Sequence, residues 1–287
     1  MKYGIVIDSG CDLLSINQWT TDNIFFTRVP LKLEIGEKEF IDDETLDVAD
    51  FMRQMADFPG KTGSAAPSPD EWYNAFTQSD CTFALTISGT ISGSISSARS
   101  AKQLLMEREP DKKVYILDSL SAGPEISLLT RKLIELIAAG LAPEEICSEW
   151  EKYRKHTHLL FLLESMDNLV KNGRVSKLKG VIAGVLKIKV LGAATEAGTV
   201  GLLYKPRGRI SMLTKALEEM LLRGFQGGRV IISHCFNQES VQHIKNALTE
   251  KFPHCDILVT PTSGLCSYYA ENKGLLIGFE DIAPITE

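Results

Sequence analysis

Two serine-rich turns are the residues of this chain whose types and spacing are best suited to chemistry. One turn runs from Ser64 to Pro69 and the other from Ile87 to Ser94, and each stands just before a helical pattern. Hydroxyls and backbone N–H groups at the start of a helix form a cradle for an anion. Neither turn contains Lys or Arg, so the sequence favours a carboxylate or a single polar head group over a nucleotide triphosphate.

Further polar residues follow short apolar runs that are typical of buried strands. These runs end at Asp8-Ser9, just before Ser88, and at Asp118-Ser119. In parallel sheets, ligands bind at the carboxyl ends of the strands. Ser9, Ser88 and Ser119 are therefore additional candidates for ligand contact, whereas Asp8 and Asp118 are expected to anchor the loops through hydrogen bonds.

The elements that position these turns alternate between strands and helices in the first half of the chain. The pattern predicts strands over 2–8, 81–86 and 114–117, helices over 48–57, 70–78, 92–109, 124–139 and 143–153, and a hairpin formed by 25–33 and 37–41. Such alternation is typical of a parallel sheet with helices on its faces. We predict an α/β fold with an N-terminal parallel-sheet domain over residues 1–155.

The pattern changes after His156, where predicted strands come in pairs between helices. Strands are predicted over 157–163, 187–191, 200–204, 230–233, 256–259 and 275–279, with helices over 210–222 and 239–248. This arrangement favours a second, α+β domain over residues 156–287. The stretch 181–188 is interpreted either as the wall of a ligand tunnel or as ordinary core.

Composition narrows the classes of function. The 287 residues are 44% hydrophobic, enough for a full core, and the net charge of −6 argues against a nucleic-acid partner. No run reaches transmembrane length and no signal peptide is recognisable, so we expect a cytoplasmic protein without integral membrane association. The sequence has neither a G-x-G-x-x-G nor a Walker A motif, and we predict no cofactor.

Several residues invite other interpretations. A phosphatase with Asp8 as its nucleophile would be expected to have a second Asp at position 10, which is Gly here, so this interpretation is weak. Cys11 as a catalytic thiol lacks a His partner nearby in the sequence. His156 and His158 share one face of a strand, but no carboxylate or Cys near them in sequence completes a metal site. The six cysteines show no zinc-like spacing, so we expect reduced thiols and no bound metal.

Five motifs, in the same order, resemble those of the DegV family, and the resemblance covers nearly the whole chain. They are Ile7-Asp8-Ser9, Lys61 to Pro69, Ser92-Gly93-Ser94 with Ser97-Ala98, Leu117-Asp118-Ser119 with Gly123, and Leu169 to Val175. Each motif is weak alone, but their common order makes the resemblance specific.

The resemblance implies a two-domain protein that binds one long-chain fatty acid between its domains. It also implies a non-catalytic role as the fatty-acid-binding subunit of a bacterial fatty acid kinase, which presents the acyl carboxylate to a separate kinase subunit. Ser64, Ser92 and Arg174 would then surround the carboxylate, together with Gly93 and Ser94 of the same turn.

The chain departs from the family near its C-terminus. The family has a His followed by a Gly-Pro-Gly turn, whereas here the His position falls near Ala270 and Gly-Pro is replaced by Asn272-Lys273. Tyr268 and Tyr269 are candidates to supply a substitute hydroxyl. A hydrolase, a binding protein for a small polar ligand, and a regulatory protein with a structural lipid remain alternative hypotheses.

Overall fold

A computed structural model describes residues 1–17, 19, 24–175 and 188–284. The first half contains, in order, β1 (Tyr3–Asp8), β2 (Ile24–Val29), β3 (Lys32–Ile35), β4 (Lys38–Ile41), α1 (Val48–Asp57), β5 (Thr62–Ala65), α2 (Pro69–Phe76), β6 (Cys81–Thr86), α3 (Ser94–Arg108), β7 (Lys113–Asp118), α4 (Pro124–Ala138) and α5 (Pro143–Arg154). The second half contains β8 (Thr157–Leu163), α6 (Asp167–Lys171), β9 (Val190–Ala194), β10 (Val200–Tyr204), α7 (Arg209–Leu222), β11 (Arg229–His234), α8 (Gln238–Lys251), β12 (Asp256–Pro261), α9 (Gly264–Ala270) and β13 (Leu275–Glu280).

The N-terminal sheet is parallel, as predicted, with strand order β2-β1-β6-β7. Its strands are apolar on both faces because helices cover both. On β1, Val6 packs with Trp72 of α2 and Ala98 of α3, whereas Ile5 and Ile7 face the core that contains α4 and α5. The carboxyl ends of the strands, where the polar turns stand, therefore form one edge of the molecule's N-terminal half.

The predicted hairpin is only partly correct. Residues 25–33 form two strands rather than one, because Pro30, which has no N–H to donate, separates β2 from β3. β2 joins the parallel sheet, while β3 lies between β4 and β5 in a small antiparallel sheet. Ser64 consequently stands on strand β5 and not in a turn at a helix start; Ser68 is the residue that caps α2.

The C-terminal sheet is mixed, with strand order β10-β9-β8-β13-β11-β12, and agrees with the predicted α+β character. Side chains alternate across β8. Leu160 and Leu162 pack in the core that contains α7 and α8, whereas Leu159, Phe161 and Leu163 belong to a cluster on the opposite face, towards the N-terminal half.

The helix α9 was not predicted, and it connects the two halves. It follows β12 in the chain, yet Leu265 and Tyr268 are buried in the N-terminal core with Leu33 and Phe51. The predicted boundary between residues 155 and 156 stays a prediction.

Three further differences concern element ends. The predicted helix 92–109 begins at Ser94, with Gly93 as its N-cap and no capping side chain. The predicted strand at 187–191 is β9, which begins at Val190. The predicted tunnel wall at 181–188 lies outside the described residues, apart from Ile188.

The six cysteines are all unpaired, and Cys81 and Cys235 are buried core residues, as expected. Among the helices of the described ranges, none combines the length and the apolar character that crossing a membrane requires.

Candidate functional site

An apolar cavity lies between the carboxyl edge of the parallel sheet and one face of the six-stranded sheet. The six-stranded sheet contributes Leu159, Phe161 and Leu163 of β8 and Leu276 of β13. The loop that follows β6 contributes Ile87 and Ile91, and α9 and the loop after β7 close further sides. The cavity is therefore bounded by the polar loops at the carboxyl ends of the parallel strands and by an apolar sheet face. The carboxyl ends of the strands are where the sequence predicts that a ligand binds.

One end of the cavity carries polar groups, and most of them belong to the predicted site. The residues brought together there are Ser64, Ser92, Gly93, Arg174 and Tyr269. These residues are far apart in the sequence and come from β5, the loop before α3, the segment after α6, and α9. We call this group the cavity mouth.

Arg174 supplies the positive charge of the mouth. Its Nε donates to the carbonyl of Ile91 at 3.3 Å and its Nη1 to the carbonyl of Asn172 at 2.6 Å. The guanidinium stands 5.8 Å from the ring centroid of Tyr269, within the range of a cation–π contact. Among the described residues, Arg174 forms no ion pair with an Asp or Glu, so its charge is available to an anion.

Tyr269 connects the charge to Ser64. The hydroxyls of Tyr269 and Ser64 form a 2.8 Å hydrogen bond, and both side chains are half-buried. Burial raises the pKa of Tyr269 above its usual value, so the hydroxyl stays protonated and able to donate. Of the two tyrosines proposed to replace the family's His, Tyr269 is the one at the cavity; Ala270, at the His position, also lines it.

Tyr268 stands behind the mouth in a second row of hydrogen bonds. Its hydroxyl lies 2.8 Å from Thr62 Oγ1 and accepts a hydrogen bond from Asn172 Nδ2, also at 2.8 Å. Thr62 and Ser64 are two residues apart on β5, so their side chains share one face. Tyr268 is fully buried and does not line the cavity, and its hydroxyl instead ties β5 to the segment that carries Arg174.

Ser94 belongs to the framework below the mouth. Its hydroxyl donates to Asp8 Oδ2 at 2.6 Å, and Asp8 also accepts from the backbone N–H groups of Ile87 and Gly10. Complete burial raises the pKa of Asp8 to about 6, and these hydrogen bonds oppose the shift. Asp8 is therefore a loop anchor, as predicted, and the Ser94 side chain points to it rather than to the cavity.

Ser9 and Ser119 are also used internally. The hydroxyl of Ser9 accepts the N–H of Leu31 at 2.9 Å, and that of Ser119 accepts from Ser121 N at 3.0 Å and donates to Ser121 O. Both residues are buried and do not line the cavity. The geometry thus gives these two predicted candidates a structural role in shaping loops.

Ser88 fastens the two halves of the protein together. The hydroxyls of Ser88 and Thr90 both donate to the carbonyl of Gly198, at 2.7 Å and 2.6 Å. Gly198, in the turn between β9 and β10, has a φ of +73° and approaches Ser88 so closely that a β-carbon has no room. Because Gly198 itself lines the cavity, this contact closes one side of it.

The geometry does not favour the hydrolase interpretation. Asp8 is completely buried and saturated by donors, and Cys11 is buried 3.3 Å from Ser127 Oγ with its pKa raised by burial to about 12. His156 and His158 do meet a carboxylate, Asp281, at 2.9 Å and 3.1 Å. These are direct hydrogen bonds, and within the described ranges no group of three or more His, Cys, Asp or Glu side chains could hold a metal ion.

Sequence reasoning missed the residues that form the apolar wall. Phe161 and Leu276 pair across β8 and β13 and line the cavity. Alternation along β8 was the available signal, because Leu159, Phe161 and Leu163 share a face. Alternation does not distinguish the wall of a cavity from a packed core, because the side chains of both are apolar.

The fold and the cavity together define a class: an α/β protein of two sheets that encloses an apolar cavity with one cationic, hydroxyl-rich mouth. The DegV family model, described as an uncharacterised protein family, matches residues 2–280. The chain belongs to the DegV family.

Relatives of known sequence span the same length. A DegV domain-containing protein of Streptococcus gordonii is 44% identical over 280 residues, which cover 98% of this chain and 99% of that protein. One from Streptococcus pneumoniae is 42% identical over 280 residues, with the same coverage of both chains.

Solved structures agree with the fold. The Streptococcus pneumoniae fatty acid kinase B3 protein loaded with linoleic acid has a TM-score of 0.93 and 42% identity, covering 98% of this chain and 100% of that one. A DegV family protein from Eubacterium eligens loaded with heptadecanoic acid has a TM-score of 0.91 and 33% identity, with the same coverage.

Proposed function

We propose that this protein binds one long-chain fatty acid, with the acyl chain in the cavity and the carboxylate at the mouth. The observation that carries the proposal is an apolar cavity whose mouth holds one guanidinium without an acidic partner in the described part of the chain. A fatty acid has the matching shape, with one anionic end and an apolar tail. The similarity to proteins solved with linoleic and heptadecanoic acids supports the same ligand class.

Magnitudes separate the roles of the wall and the mouth. Burying a methylene contributes about 0.8 kcal/mol, so a sixteen-carbon chain gains on the order of 10 kcal/mol before ordering costs. A charge-assisted hydrogen bond contributes about 1.5–3 kcal/mol net. The wall therefore supplies most of the affinity, and the residues of the mouth set the orientation of the ligand.

Within the mouth, Arg174 and the hydroxyls of Ser64, Ser92 and Tyr269 are the proposed carboxylate contacts. The guanidinium offers charge, while Ser64 and Tyr269, already joined to each other, can each turn a proton or a lone pair towards the ligand. The backbone of Gly93, which caps α3, adds the positive end of that helix.

The proposal extends to a partner. In this extension the protein carries the fatty acid to a separate kinase subunit, which phosphorylates the carboxylate, and no chemistry occurs on this chain. Supporting observations are the partly exposed position of the mouth and the similarity to a fatty acid kinase B3 protein. The burial of Asp8 and Cys11 leaves these two candidate nucleophiles inside the protein framework.

Mass spectrometry of organic extracts from the purified protein tests the first part. We expect about one fatty acid per chain, or uptake of added palmitate or oleate by delipidated protein. Absence of both would overturn the proposal and favour a small polar ligand. The second part is tested by mixing the loaded protein with a fatty acid kinase catalytic subunit and ATP, and measuring acyl phosphate; its absence, with lipid bound, would leave a carrier without that partner.

A further inference from the structure

One residue close to the cavity mouth in sequence has a backbone conformation that is almost confined to glycine. Glu271, directly after α9, has a φ of +56° and a ψ of −179°. A β-carbon in this region conflicts with the adjacent backbone, and such residues persist only where the surrounding contacts hold them. Strain of this kind is concentrated at functional sites, so the contacts of Glu271 indicate what the conformation secures.

The carboxylate of Glu271 connects the end of α9 to α6. Its Oε1 accepts the backbone N–H of Asn168 at 3.1 Å and the hydroxyl of Ser165 at 3.2 Å. Asn168 forms a second hydrogen bond to the same part of the chain, because its Nδ2 donates to the carbonyl of Tyr268 at 2.7 Å. Two hydrogen bonds from the end of α9 therefore hold one residue in the first turn of α6.

The helix α6 in turn carries Arg174. It has five residues, Asp167–Lys171, which are too few for a helix to be stable without its neighbours. Its hydrogen bonds continue beyond its end, where the N–H of Asn172 donates to the carbonyl of Asn168 at 3.1 Å. The N–H of Arg174 donates to the carbonyl of Leu169 at 2.9 Å. The position of Arg174 therefore depends on where the end of α9 holds Asn168.

We infer that Glu271 is a positioning residue for the carboxylate site and holds Arg174 in place relative to Tyr269. This inference rests on the proposed function. Tyr269 lies two residues before Glu271, and Arg174 follows α6, so the carboxylate of Glu271 joins the two segments that carry them. Glu271 does not line the cavity, and it acts on the ligand through Arg174.

The negative charge of Glu271 by itself predicts the opposite effect. A carboxylate repels the carboxylate of a fatty acid, so removing its charge would strengthen binding if charge were its only influence. If Glu271 acts through its hydrogen bonds, removing the acceptor weakens the head-group contact instead. Glu271→Gln keeps an oxygen within reach of Asn168 and removes the charge, whereas Glu271→Asp keeps the charge and shortens the side chain.

The test separates the head group from the acyl chain. Palmitate and hexadecanol have the same chain length, but only palmitate has a carboxylate, so the ratio of their affinities for delipidated protein measures the head-group contact. Glu271→Gly removes the carboxylate, and glycine adopts the same backbone conformation without strain. The preference for palmitate should fall about tenfold in Glu271→Gly, the loss of roughly one charge-assisted hydrogen bond. It should stay within about twofold of the original value in Glu271→Gln, because the acceptor remains.

Lys273→Gly is the matched control. Lys273 lies in the same turn with a φ of +68°, and its ammonium group donates to the carbonyl of Phe236 rather than to α6. This variant relieves strain of the same kind and should keep the preference for palmitate. Coupling is measured in Arg174→Ala, where adding Glu271→Gly should change the preference by less than about twofold, because Glu271 acts through Arg174.

The outcomes separate the inference from the proposed function. An unchanged preference in Glu271→Gly, an equal loss of affinity for both ligands, or an equally large effect in Arg174→Ala would overturn the inference and leave fatty acid binding intact. A stronger preference for palmitate in both Glu271→Gly and Glu271→Gln would also overturn it, by assigning the effect to charge repulsion.

A further variant keeps the test decisive if Glu271→Gly does not fold. Glu271→Asp should then lower the preference for palmitate, since the shorter side chain does not reach Asn168, and an unchanged preference overturns the inference by itself. Failure of the unmodified protein to retain palmitate would overturn the proposed function and the inference with it.

Discussion

The two faces of the six-stranded sheet have nearly the same composition and different tasks. On one face, Leu160 and Leu162 are packed by α7 and α8 into a closed core. On the other face, Leu159, Phe161 and Leu163 border a cavity that extends towards the N-terminal half. The difference lies in what covers each face: helices fill one, while loops and α9 stand across the other and leave space. Apolar side chains of the same kind can therefore stabilise the fold or line a ligand cavity, depending on which elements pack over them.

The polar groups divide in the same way. Ser94 and Asp8 are completely buried and hold loops to strands, whereas Ser64 and Tyr269 form a hydrogen bond at the mouth of the cavity. Each pair joins the hydroxyl of a serine to a side chain that can titrate. Position relative to the cavity, rather than residue type, separates the framework from the site, and the following predictions test that separation.

The largest effect is expected for truncation of the closed face. Leu160→Ala should lower the free energy of unfolding by about 2–5 kcal/mol, because it leaves a void among packed side chains. Leu163→Ala, the same change on the same strand but on the open face, should cost less stability and instead weaken fatty acid binding. Urea unfolding of both lipid-free variants checks this, and equal losses would show that both faces are ordinary core.

A smaller effect is expected at the mouth. Arg174→Ala should weaken fatty acid binding about tenfold to a hundredfold without abolishing it, because a charge-assisted hydrogen bond is lost while the apolar wall remains. Isothermal titration with oleate provides the measurement. The control is Arg108→Ala, which also removes one positive charge and should not change affinity. Arg108 is the last residue of α3, about 21 Å along the helix from Ser94 at its start. Unchanged affinity in Arg174→Ala would remove this residue from the site.

Stability should depend on pH through the buried framework. The pKa of Asp8 is raised to about 6, so the folded protein holds the Asp8 proton more tightly than the unfolded chain does. The resulting stabilisation is complete below about pH 4 and is lost as the pH rises through 6. Burial likewise raises the pKa values of Asp12, Asp42 and Glu125.

Asp8 should therefore add roughly 1 kcal/mol to the free energy of unfolding of lipid-free protein between pH 7 and pH 5. His158 and His234, whose pKa values burial lowers, act in the opposite direction over the same interval, so the contribution of Asp8 is read by comparison with a variant. Urea titrations at the two pH values measure the change. Asp8→Asn, which cannot titrate, should flatten the dependence. The same change between pH 7 and pH 5 in Asp8→Asn and in the unmodified protein would contradict the assignment of Asp8 to the framework.

The smallest effect separates the two tyrosines. Tyr269→Phe removes one neutral hydrogen bond at the mouth, worth about 0.5–1.5 kcal/mol, and should weaken fatty acid binding by up to about tenfold. Tyr268→Phe, which removes a hydroxyl behind the mouth, should lower stability first and affinity less. Binding and unfolding measured on both variants distinguish the roles, and the reverse pattern would assign the ligand contact to Tyr268.

Much of the fold was predictable because its signals are local. The apolar runs before Asp8, Ser88 and Asp118 are short and bounded by polar turns, and they predicted the parallel sheet. The apolar pattern predicts one strand across Pro30, whereas this residue, which has no N–H to donate, separates β2 from β3. The short helix α9 was missed because seven residues carry too little periodicity to identify a helix.

The sequence by itself determined the classes of element, the motif order of the DegV family, and the serine turns with Arg174 as candidates for an anion. Only the tertiary structure decided which candidates reach the cavity. Ser64 meets Tyr269 across 205 positions of sequence, and Ser94 turns to Asp8 across 86. Local periodicity places a side chain on a face of its own element, but what covers that face depends on packing between distant segments.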